Sequence, residues 1–219
     1  MNKFLVIIIA LAALFAGMFL FNKFQHQPLE QPQYSLYYQQ SRTLKPFKLT
    51  ASNGETFTNK NLQGKWSWVF FGYTSCPDVC PTTLQELNFI YDDLKKVSSK
   101  VQVLFVSVDP QRDTQEKLSQ YIAYFNKAFI ALRAGHEVLF PFARNLGLMY
   151  AIVDNNQATA GDNNSESYLV DHSASMVLIN PQGNIAAIFK PEIAIGKVPS
   201  IDGEKLVSDF AKIVALASI

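Results

Sequence analysis

The sequence has little cysteine, little histidine and little net charge. Its 219 residues include two cysteines and three histidines, and the formal charge at pH 7 is +1. Near-neutral charge without basic runs gives no electrostatic basis for binding along a phosphate backbone, which excludes nucleic acid as a partner. Because a third cysteine is absent, one intramolecular disulfide is the most that the chain can form. Internal repeats are also absent, and the length requires no second globular domain.

Charge is missing from one long segment near the N-terminus. Residues 4–21 form an uncharged apolar run of 18 residues, about 27 Å long as a helix and close to the thickness of a bilayer's hydrocarbon core. The small-x-small sequence at 10–12 lies inside this run, and the polar pair Asn22-Lys23 follows it. A cleaved signal peptide usually has a shorter apolar core that ends at a small-x-small site. We therefore predict an uncleaved membrane anchor over residues 1–23. A lysine flanks each end of the apolar run, so the positive charges barely indicate which end of the helix faces the cytoplasm.

A second segment resembles a tether. Residues 24–40 are rich in Gln, Pro and Tyr, and Pro28 and Pro32 interrupt any helix. We predict that this segment is a tether stiffened by its prolines. The remaining residues, 41–219, have the length of one domain.

Strand and helix patterns alternate through residues 41–219. A hairpin is predicted around Asn53-Gly54. Buried-strand patterns occur at 66–71, 101–108, 129–132, 150–153, 175–179 and 185–189, and helical patterns at 82–96, 137–145 and 203–216, with another helix after Asp113. Thr83 with Glu86, and Asp113 with Glu116, have the spacing of helix caps. The alternation predicts an α/β fold with a central mixed sheet, helices on both faces and the last hairpin as an antiparallel edge.

Both cysteines lie where the strand 66–71 leads into a helix. Cys76 and Cys80 are four residues apart, one helical turn, which places the two side chains on one face with Cα atoms about 6 Å apart. That spacing suits either a disulfide or two thiolates on one thiophilic ion. The amino end of the helix would stabilise thiolates, whereas Asp78 would oppose their ionisation.

The spacing alone leaves several interpretations open. As a structural staple, a disulfide closing so small a loop would contribute about 2 kcal/mol at most. Reduced bystander thiols are a further alternative, although both cysteines stand beside prolines at a strand-to-helix turn. Two thiolates with one imidazole suit Cu(I), whereas structural Zn(II) usually takes four protein ligands. The chain offers His26, His136 and His172 as third ligands, and position alone does not select among them.

Three motifs together are more specific than the spacing. The sequence reads FGYTSCPDVCPTT at 71–83, VSVDPQRDT at 106–114 and VDHSAS at 170–175. In their residues, their order and their separation along the chain, these motifs resemble those of the Sco/SenC family of membrane-tethered copper proteins. The resemblance covers the chain from residue 41 to its C-terminal end.

The resemblance implies a thioredoxin-like fold in which two cysteines and a distal histidine bind copper. It assigns Cys76, Cys80 and His172 as ligands of Cu(I), with Cu(II) as a second state of the metal. Asp109 and Asp113 match an acidic pair often seen in the family, but a strand-end turn and a helix cap account for them without copper. Many relatives carry a histidine where this chain has Ser75, which leaves the three expected ligands intact.

The family implies a copper metallochaperone, rather than an enzyme, that helps to assemble the CuA site of cytochrome c oxidase by ligand exchange. Its expected partners are the copper-containing oxidase subunit and a second copper chaperone. We expect a single-pass protein of the inner (cytoplasmic) membrane with its C-terminal domain on the periplasmic side, or of the mitochondrial inner membrane in a eukaryote.

Three other functions use the same residues. Cys76 and Cys80 could act as a thiol-disulfide oxidoreductase that keeps a partner's copper-ligand cysteines reduced. They could also form a redox or copper sensor. A thiol peroxidase is the third possibility, because VCPT at 79–82 resembles the run around a peroxiredoxin's reactive cysteine. Tyr73 and Pro77 stand where that family has its upstream proline and threonine, which disfavours this alternative.

Overall fold

The computed structural model describes residues 3–25, 29–154, 168–172 and 174–218, and for residues 22–25, 154, 168, 169, 171 and 172 it describes the backbone alone. The chain forms two units, Met1–Gln31 and Pro32–Ile219. The first unit contains helix α1, Lys3–Gln25. Within this helix Lys3–Phe21 is long and apolar enough to cross a membrane, and none of it is buried by the described protein. Membrane insertion itself remains a prediction.

The second unit is built on strands and helices that alternate along the chain. The strands are β1 Ser35–Arg42, β2 Lys48–Ala51, β3 Thr56–Thr58, β4 Trp66–Gly72, β5 Val101–Ser107, β6 Ile130–Arg133, β7 Tyr150–Asp154, β8 Tyr168–His172, β9 Met176–Ile179 and β10 Ile185–Phe189. The helices are α2 Val79–Phe89, α3 Tyr91–Val97, α4 Gln115–Phe125, α5 His136–Leu146 and α6 Gly203–Leu216. The predicted hairpin is β2–β3, and the predicted closing helix is α6.

Eight strands form the main sheet in the order β1-β10-β9-β4-β5-β6-β2-β3. β4 is parallel to β5, and β5 is parallel to β6, whereas the other neighbours are antiparallel. The predicted mixed sheet is therefore confirmed. The last hairpin, β9–β10, is antiparallel as predicted, but it is not the edge of the sheet because β1 pairs with the outer side of β10.

Helices cover both faces of the sheet, as the sequence predicts. Every residue of β4 is buried, and successive side chains point to opposite faces. On one face the Trp68 ring packs against Phe210 of α6, with centroids 5.4 Å apart. On the other, Phe71 packs against Phe142 of α5 at 5.9 Å. β4 is thus a central, fully covered strand, which fixes the position of the residues that follow it.

The folded unit begins earlier than predicted. Residues 35–40, assigned from the sequence to the tether, belong to β1, which pairs with β10. The buried carboxylate of Asp209 also accepts backbone hydrogen bonds from Gln33, Tyr34 and Ser35, at 3.0, 2.8 and 2.8 Å. Pairing with β10 and the Asp209 carboxylate provide hydrogen-bond partners for the backbone of these residues. Their polar composition did not predict these partners.

Two predicted helix starts are wrong. The helix after the cysteines begins at Val79 rather than near residue 82, and α2 and α3 divide at Ile90. Thr83 is buried inside α2 instead of capping it. The α4 cap is Thr114, which accepts a hydrogen bond from the Lys117 backbone, and not Asp113. Thr83 is buried within its helix, and Asp113 is buried and bonded to Thr74 and Ser107, so neither side chain caps a helix.

Candidate metal centre

The two cysteines lie at the carboxyl end of β4, the position where α/β sheets usually place their sites. A turn from Tyr73 to Cys76, closed by a backbone hydrogen bond of 3.2 Å, follows the strand. Cys80 then lies in the first turn of α2. At Gly72 a Cβ atom would come within 2.9 Å of the Cys80 Sγ atom and within 2.6 Å of the Phe105 ring. Glycine is therefore required here, because the Cys80 sulfur packs directly against the strand backbone.

The two thiols touch each other and are not joined by a disulfide. The Cys80 backbone N–H donates to the Cys76 Sγ at 3.4 Å, and the two side chains are also hydrogen-bonded. Cys80 is fully buried, whereas Cys76 is partly exposed. The hydrogen bond with Cys76, followed by burial, raises the pKa of the Cys80 thiol well above its ordinary value. In the metal-free protein, the Cys80 thiol is therefore held protonated.

A buried carboxylate connects the cysteine segment to the next strand. Asp113 accepts hydrogen bonds from the Thr74 backbone at 3.1 Å and the Thr74 hydroxyl at 2.5 Å. It also accepts one from the Ser107 hydroxyl, at the end of β5, at 2.6 Å. These bonds account for Asp113 without copper. They also show that it positions the segment before Cys76 instead of capping a helix.

The second acidic residue of the sequence motif is used in an ion pair. The buried Asp109 carboxylate pairs with the Nε of Arg112, and it accepts a hydrogen bond from the Arg112 backbone at 3.3 Å. The Arg112 guanidinium lies 5.7 Å from the centre of the Tyr73 ring, within range of a cation–π interaction. Asp109 therefore contacts the cysteine segment indirectly, through Arg112 and the Tyr73 ring.

Sequence reasoning missed two neighbours of the cysteines on α4. Lys117 Nζ donates to the Ser75 hydroxyl at 3.4 Å. The buried hydroxyl of Tyr121 has no hydrogen-bond partner within the described part of the chain. Burial, and after it the nearby Cys80 and Cys76, raise the pKa of Tyr121, so this phenol lies in the neighbourhood of the thiol pair. Both residues are about 40 positions from the cysteines, and no local spacing connects them.

Of the three histidines, the structure describes one, His136, together with its side chain. His172 is the last residue of β8, and its backbone pairs with Tyr150 of β7 in a separate two-stranded sheet. The His172 side chain is outside the described part of the structure, and so is His26. His136 Nδ1 is engaged with the Tyr150 hydroxyl at 2.9 Å.

One hydrogen bond connects the strand of His172 to the cysteine segment. The backbone of Val170, two residues before His172, bonds to the side chain of Tyr73, three residues before Cys76. β8 was not predicted from the sequence, and it brings two distant motifs to the same end of the sheet. Among the side chains that the structure describes, no three His, Cys, Asp or Glu residues gather into a metal-binding group.

The described donors fit a soft metal ion. Two thiols in contact, one of them buried, form the sulfur donor set that Cu(I) favours, and they are too few for a structural Zn(II) site. The unpartnered Tyr121 hydroxyl adds a polar group on one side of the pair. A disulfide between the same sulfurs would remove the thiolates that such an ion needs.

Comparison with known proteins identifies the wider group. A family model described as SCO1/SenC matches residues 36–200. A SCO2-like protein of Rickettsia prowazekii is 32% identical over 166 residues, which are 76% of this chain and 78% of the relative. The human mitochondrial SCO1 homologue is 33% identical over 66% of this chain, and the match spans 46% of the human protein.

A solved structure extends the likeness to three dimensions. Arabidopsis thaliana ScoI with copper bound superimposes with a TM-score of 0.64 at 31% identity, over 78% of this chain and 97% of that one. The fold predicted from the sequence, a thioredoxin-like mixed sheet flanked by helices, is therefore confirmed.

Proposed function

The chain belongs to the SCO1/SenC family, a family of cytochrome c oxidase assembly proteins, and from that premise we propose that it is a copper metallochaperone for the CuA site of the oxidase. Cys76, Cys80 and His172 are the proposed ligands of its cargo, Cu(I), with Cu(II) as a second state. The pair of touching thiols at the carboxyl end of β4 carries this proposal. The copper-bound Arabidopsis relative supports the choice of metal.

The two cysteines have different tasks in this proposal. Cys80 is fully buried against Gly72 and provides a fixed sulfur. Cys76 is partly exposed and is the sulfur that a partner protein can reach. Loading releases the thiol protons, because thiolates are the forms that bind metal. The hydrogen bonds of Asp113 keep the loop before Cys76 in place while this occurs.

His172 is the proposed third ligand because its strand is tied to the cysteine segment. The hydrogen bond between Tyr73 and the backbone of Val170 supports this assignment. The one imidazole within the described part of the chain, that of His136, is already bonded to Tyr150. An imidazole on β8 would complete a two-sulfur, one-nitrogen set, which suits Cu(I).

The proposed setting is the membrane that contains the oxidase. Residues 1–23 would anchor the chain in the inner membrane, with the copper-binding domain on the periplasmic side or its mitochondrial equivalent. Copper would arrive from a second copper chaperone and leave to the copper-containing oxidase subunit. In both transfers, ligands of one protein replace those of the other in turn, so the ion is never released to water.

An anaerobic Cu(I) titration tests the ligand set. The reduced full-length protein competes with a colorimetric Cu(I) chelator, beside Cys76→Ser, Cys80→Ser and His172→Ala, with His136→Ala as the matched histidine control. We expect one Cu(I) per chain, loss of tight binding in either cysteine variant, and affinity lowered at least about tenfold in His172→Ala. Unchanged affinity and unchanged metal-site spectra in His172→Ala would show that the ligand assignment is wrong.

A second candidate function follows from the unequal exposure of the two thiols. Cys76, the accessible sulfur, could attack a partner's disulfide as a thiolate, forming a mixed disulfide and releasing one partner thiol. Cys80 would then attack Cys76 Sγ, form the Cys76–Cys80 disulfide and release the second partner thiol. The partner gains the two electrons that this protein loses. The products are the reduced copper ligands of an acceptor.

Reduction and metal delivery make different demands on His172. Reduction of a peptide carrying a two-cysteine disulfide should persist in His172→Ala and stop in Cys76→Ser. A Cys76–Cys80 reduction potential more oxidising than that of the acceptor's disulfide would eliminate the reductase function.

A further inference from the structure

A short apolar hairpin stands out on the surface of the folded unit. Residues 192–200, here named the 192–200 hairpin, follow β10 and are closed by backbone hydrogen bonds between Glu192 and Ser200 of 2.8 and 3.3 Å. A turn bonded from Lys197 N–H to the Ala194 carbonyl at 3.1 Å forms its tip. Gly196 has a φ of +74° there, which this turn requires at its third residue. The preceding residue, Ile195, is therefore held at the apex.

Two apolar side chains of this hairpin are almost uncovered. Ile193 is 83% exposed and Ile195 is 106% exposed, whereas Val198 is 42% exposed. The two isoleucines contribute almost nothing to the core, so folding does not account for them. Lys190 precedes the hairpin and Lys197 lies within it, and neither forms an ion pair with any residue that the structure describes. Exposed aliphatic side chains beside uncompensated cations are typical of a surface that binds anionic phospholipid.

The base of the hairpin is connected to the first residues of the folded unit. Lys205, in the first turn of α6, pairs with Glu192 of the hairpin and with Asp202. The Asp202 backbone N–H donates to the Tyr34 hydroxyl at 2.9 Å. Tyr34 itself is held by the Asp209 carboxylate. The hairpin therefore stands beside the point at which the chain from α1 joins the domain.

The length of chain before that point limits its distance from α1. Helix α1 ends at Gln25, and the first residue bound by Asp209 is Gln33. The intervening eight peptide units can span at most about 28 Å when fully extended. If α1 lies in a bilayer, Gln33 and the adjoining hairpin are confined to the neighbourhood of the bilayer surface.

We propose that the 192–200 hairpin inserts its tip, Ile195 with Ile193, into the interfacial layer of the phospholipid bilayer that holds α1. The inference rests on the membrane anchor of the proposed function, and it adds a second membrane contact made by the folded domain. Lys190 and Lys197 contact anionic headgroups in this arrangement.

The contact also orients the copper site. Met176 of β9 lies opposite both Phe189, at the end of β10, and Phe70, near the end of β4. The hairpin after β10 and the cysteines after β4 therefore leave the sheet at the same end. Insertion of the tip turns that end toward the membrane surface.

Fluorescence quenching of the full chain in vesicles tests the contact. Ile195→Trp protein is reconstituted into phosphatidylcholine containing a minor fraction of phosphatidylglycerol, with or without bromine on the acyl chains. Phe89→Trp is the matched control, because Phe89 is also strongly exposed, at 80%, but ends α2, which leads the chain to the opposite end of the sheet. Wild type gives the background of the buried Trp66 and Trp68. We expect brominated lipid to lower the added emission of Ile195→Trp by about half and to leave that of Phe89→Trp unchanged.

The charges and the alternatives are tested in the same vesicles. Lys197→Glu in the Ile195→Trp background should weaken the quenching when phosphatidylglycerol is present and have less effect without it. An Ile195→Trp side chain that is unquenched by bromolipid and remains open to a water-soluble quencher would overturn the proposal. That result would assign the hairpin to a protein partner. A chain that fails to float with the vesicles would overturn the anchor and the hairpin contact together.

The copper proposal and the hairpin proposal fail separately. Cu(I) affinity of Ile195→Trp should equal that of the wild type, because the hairpin contributes no proposed ligand. Bromolipid quenching in a protein that binds no Cu(I) would leave the hairpin contact standing and refute the metallochaperone function. Normal Cu(I) binding without quenching would refute the hairpin contact alone.

Discussion

The buried carboxylate of Asp113 accepts a hydrogen bond of 2.5 Å from the hydroxyl of Thr74, two residues before Cys76. A second residue, Ser107, connects the same carboxylate to the end of β5. Removing the carboxylate by Asp113→Ala leaves the Thr74 N–H and two hydroxyls without their acceptor. We expect the free energy of unfolding to fall by about 3 kcal/mol, measured by urea denaturation of the reduced protein without copper.

The control for this prediction is a carboxylate in a different environment. Asp93 is half exposed and pairs with Lys96 on the surface. Asp93→Ala should change stability by about 0.5 kcal/mol or less. Equal losses in the two variants would contradict the positioning role of Asp113.

The contact between Gly72 and the Cys80 sulfur makes a second prediction. A methyl group at position 72 would lie 2.9 Å from Sγ and 2.6 Å from the Phe105 ring, so Gly72→Ala must displace both. We expect a loss of about 1–3 kcal/mol in stability and weaker Cu(I) binding. In a Cys80→Ala background the sulfur is absent, so the same substitution should cost less. Additive losses would show that Gly72 does not act through Cys80.

The third prediction concerns the reactivity of the two thiols. Cys76 is partly exposed, whereas Cys80 is fully buried and has a raised pKa because of its hydrogen bond with Cys76 and its burial. Thiolates are the reactive form. In the reduced, copper-free protein, iodoacetamide should therefore modify Cys76 at least about tenfold faster than Cys80, as read by mass spectrometry of the peptides. Equal rates would mean that the site opens readily in solution.

The raised pKa of Cys80 also predicts how stability depends on pH. A pKa higher in the folded than in the unfolded chain means that the contribution of Cys80 to stability is present in full below the unfolded thiol pKa of about 8.5. The contribution is lost as pH rises. We expect the reduced, copper-free protein to lose about 1 kcal/mol between neutral pH and roughly pH 9.5. Cys80→Ala should show a flatter profile over that range, and parallel profiles would contradict the assignment.

Local sequence patterns correctly predicted the elements that are encoded by a run or a period of apolar residues. The aromatic and β-branched run of β4 and the amphipathic pattern of α6 both formed as expected. The predictions failed where a long-range partner decides the structure. β1 ends in four exposed polar residues, 39–42, and is a strand because β10 lies beside it. β8 forms by pairing with β7.

In the candidate site, too, local features were predictable from the sequence and long-range contacts were not. The positions of Cys76 and Cys80 at a strand-to-helix junction were predictable from spacing and flanking residues. The functions of Asp113 and Tyr121 were not, because their relevant neighbours are about 40 residues away. Spacing makes Asp113 a plausible cap, but the fold buries it completely and provides Thr74 and Ser107 as its partners.

The packing of Cys80 against Gly72 would give the proposed copper transfer a direction. The strand backbone and the Phe105 ring close the space on one side of the Cys80 sulfur, whereas Cys76 is partly exposed and open to the ligands of another protein. In a transfer by ligand exchange, the bond to Cys76 is therefore the first sulfur bond to be replaced, and the bond to Cys80 is the last to break. In the proposed transfer, the buried Cys80 sulfur would hold the ion until the acceptor has supplied its own ligands.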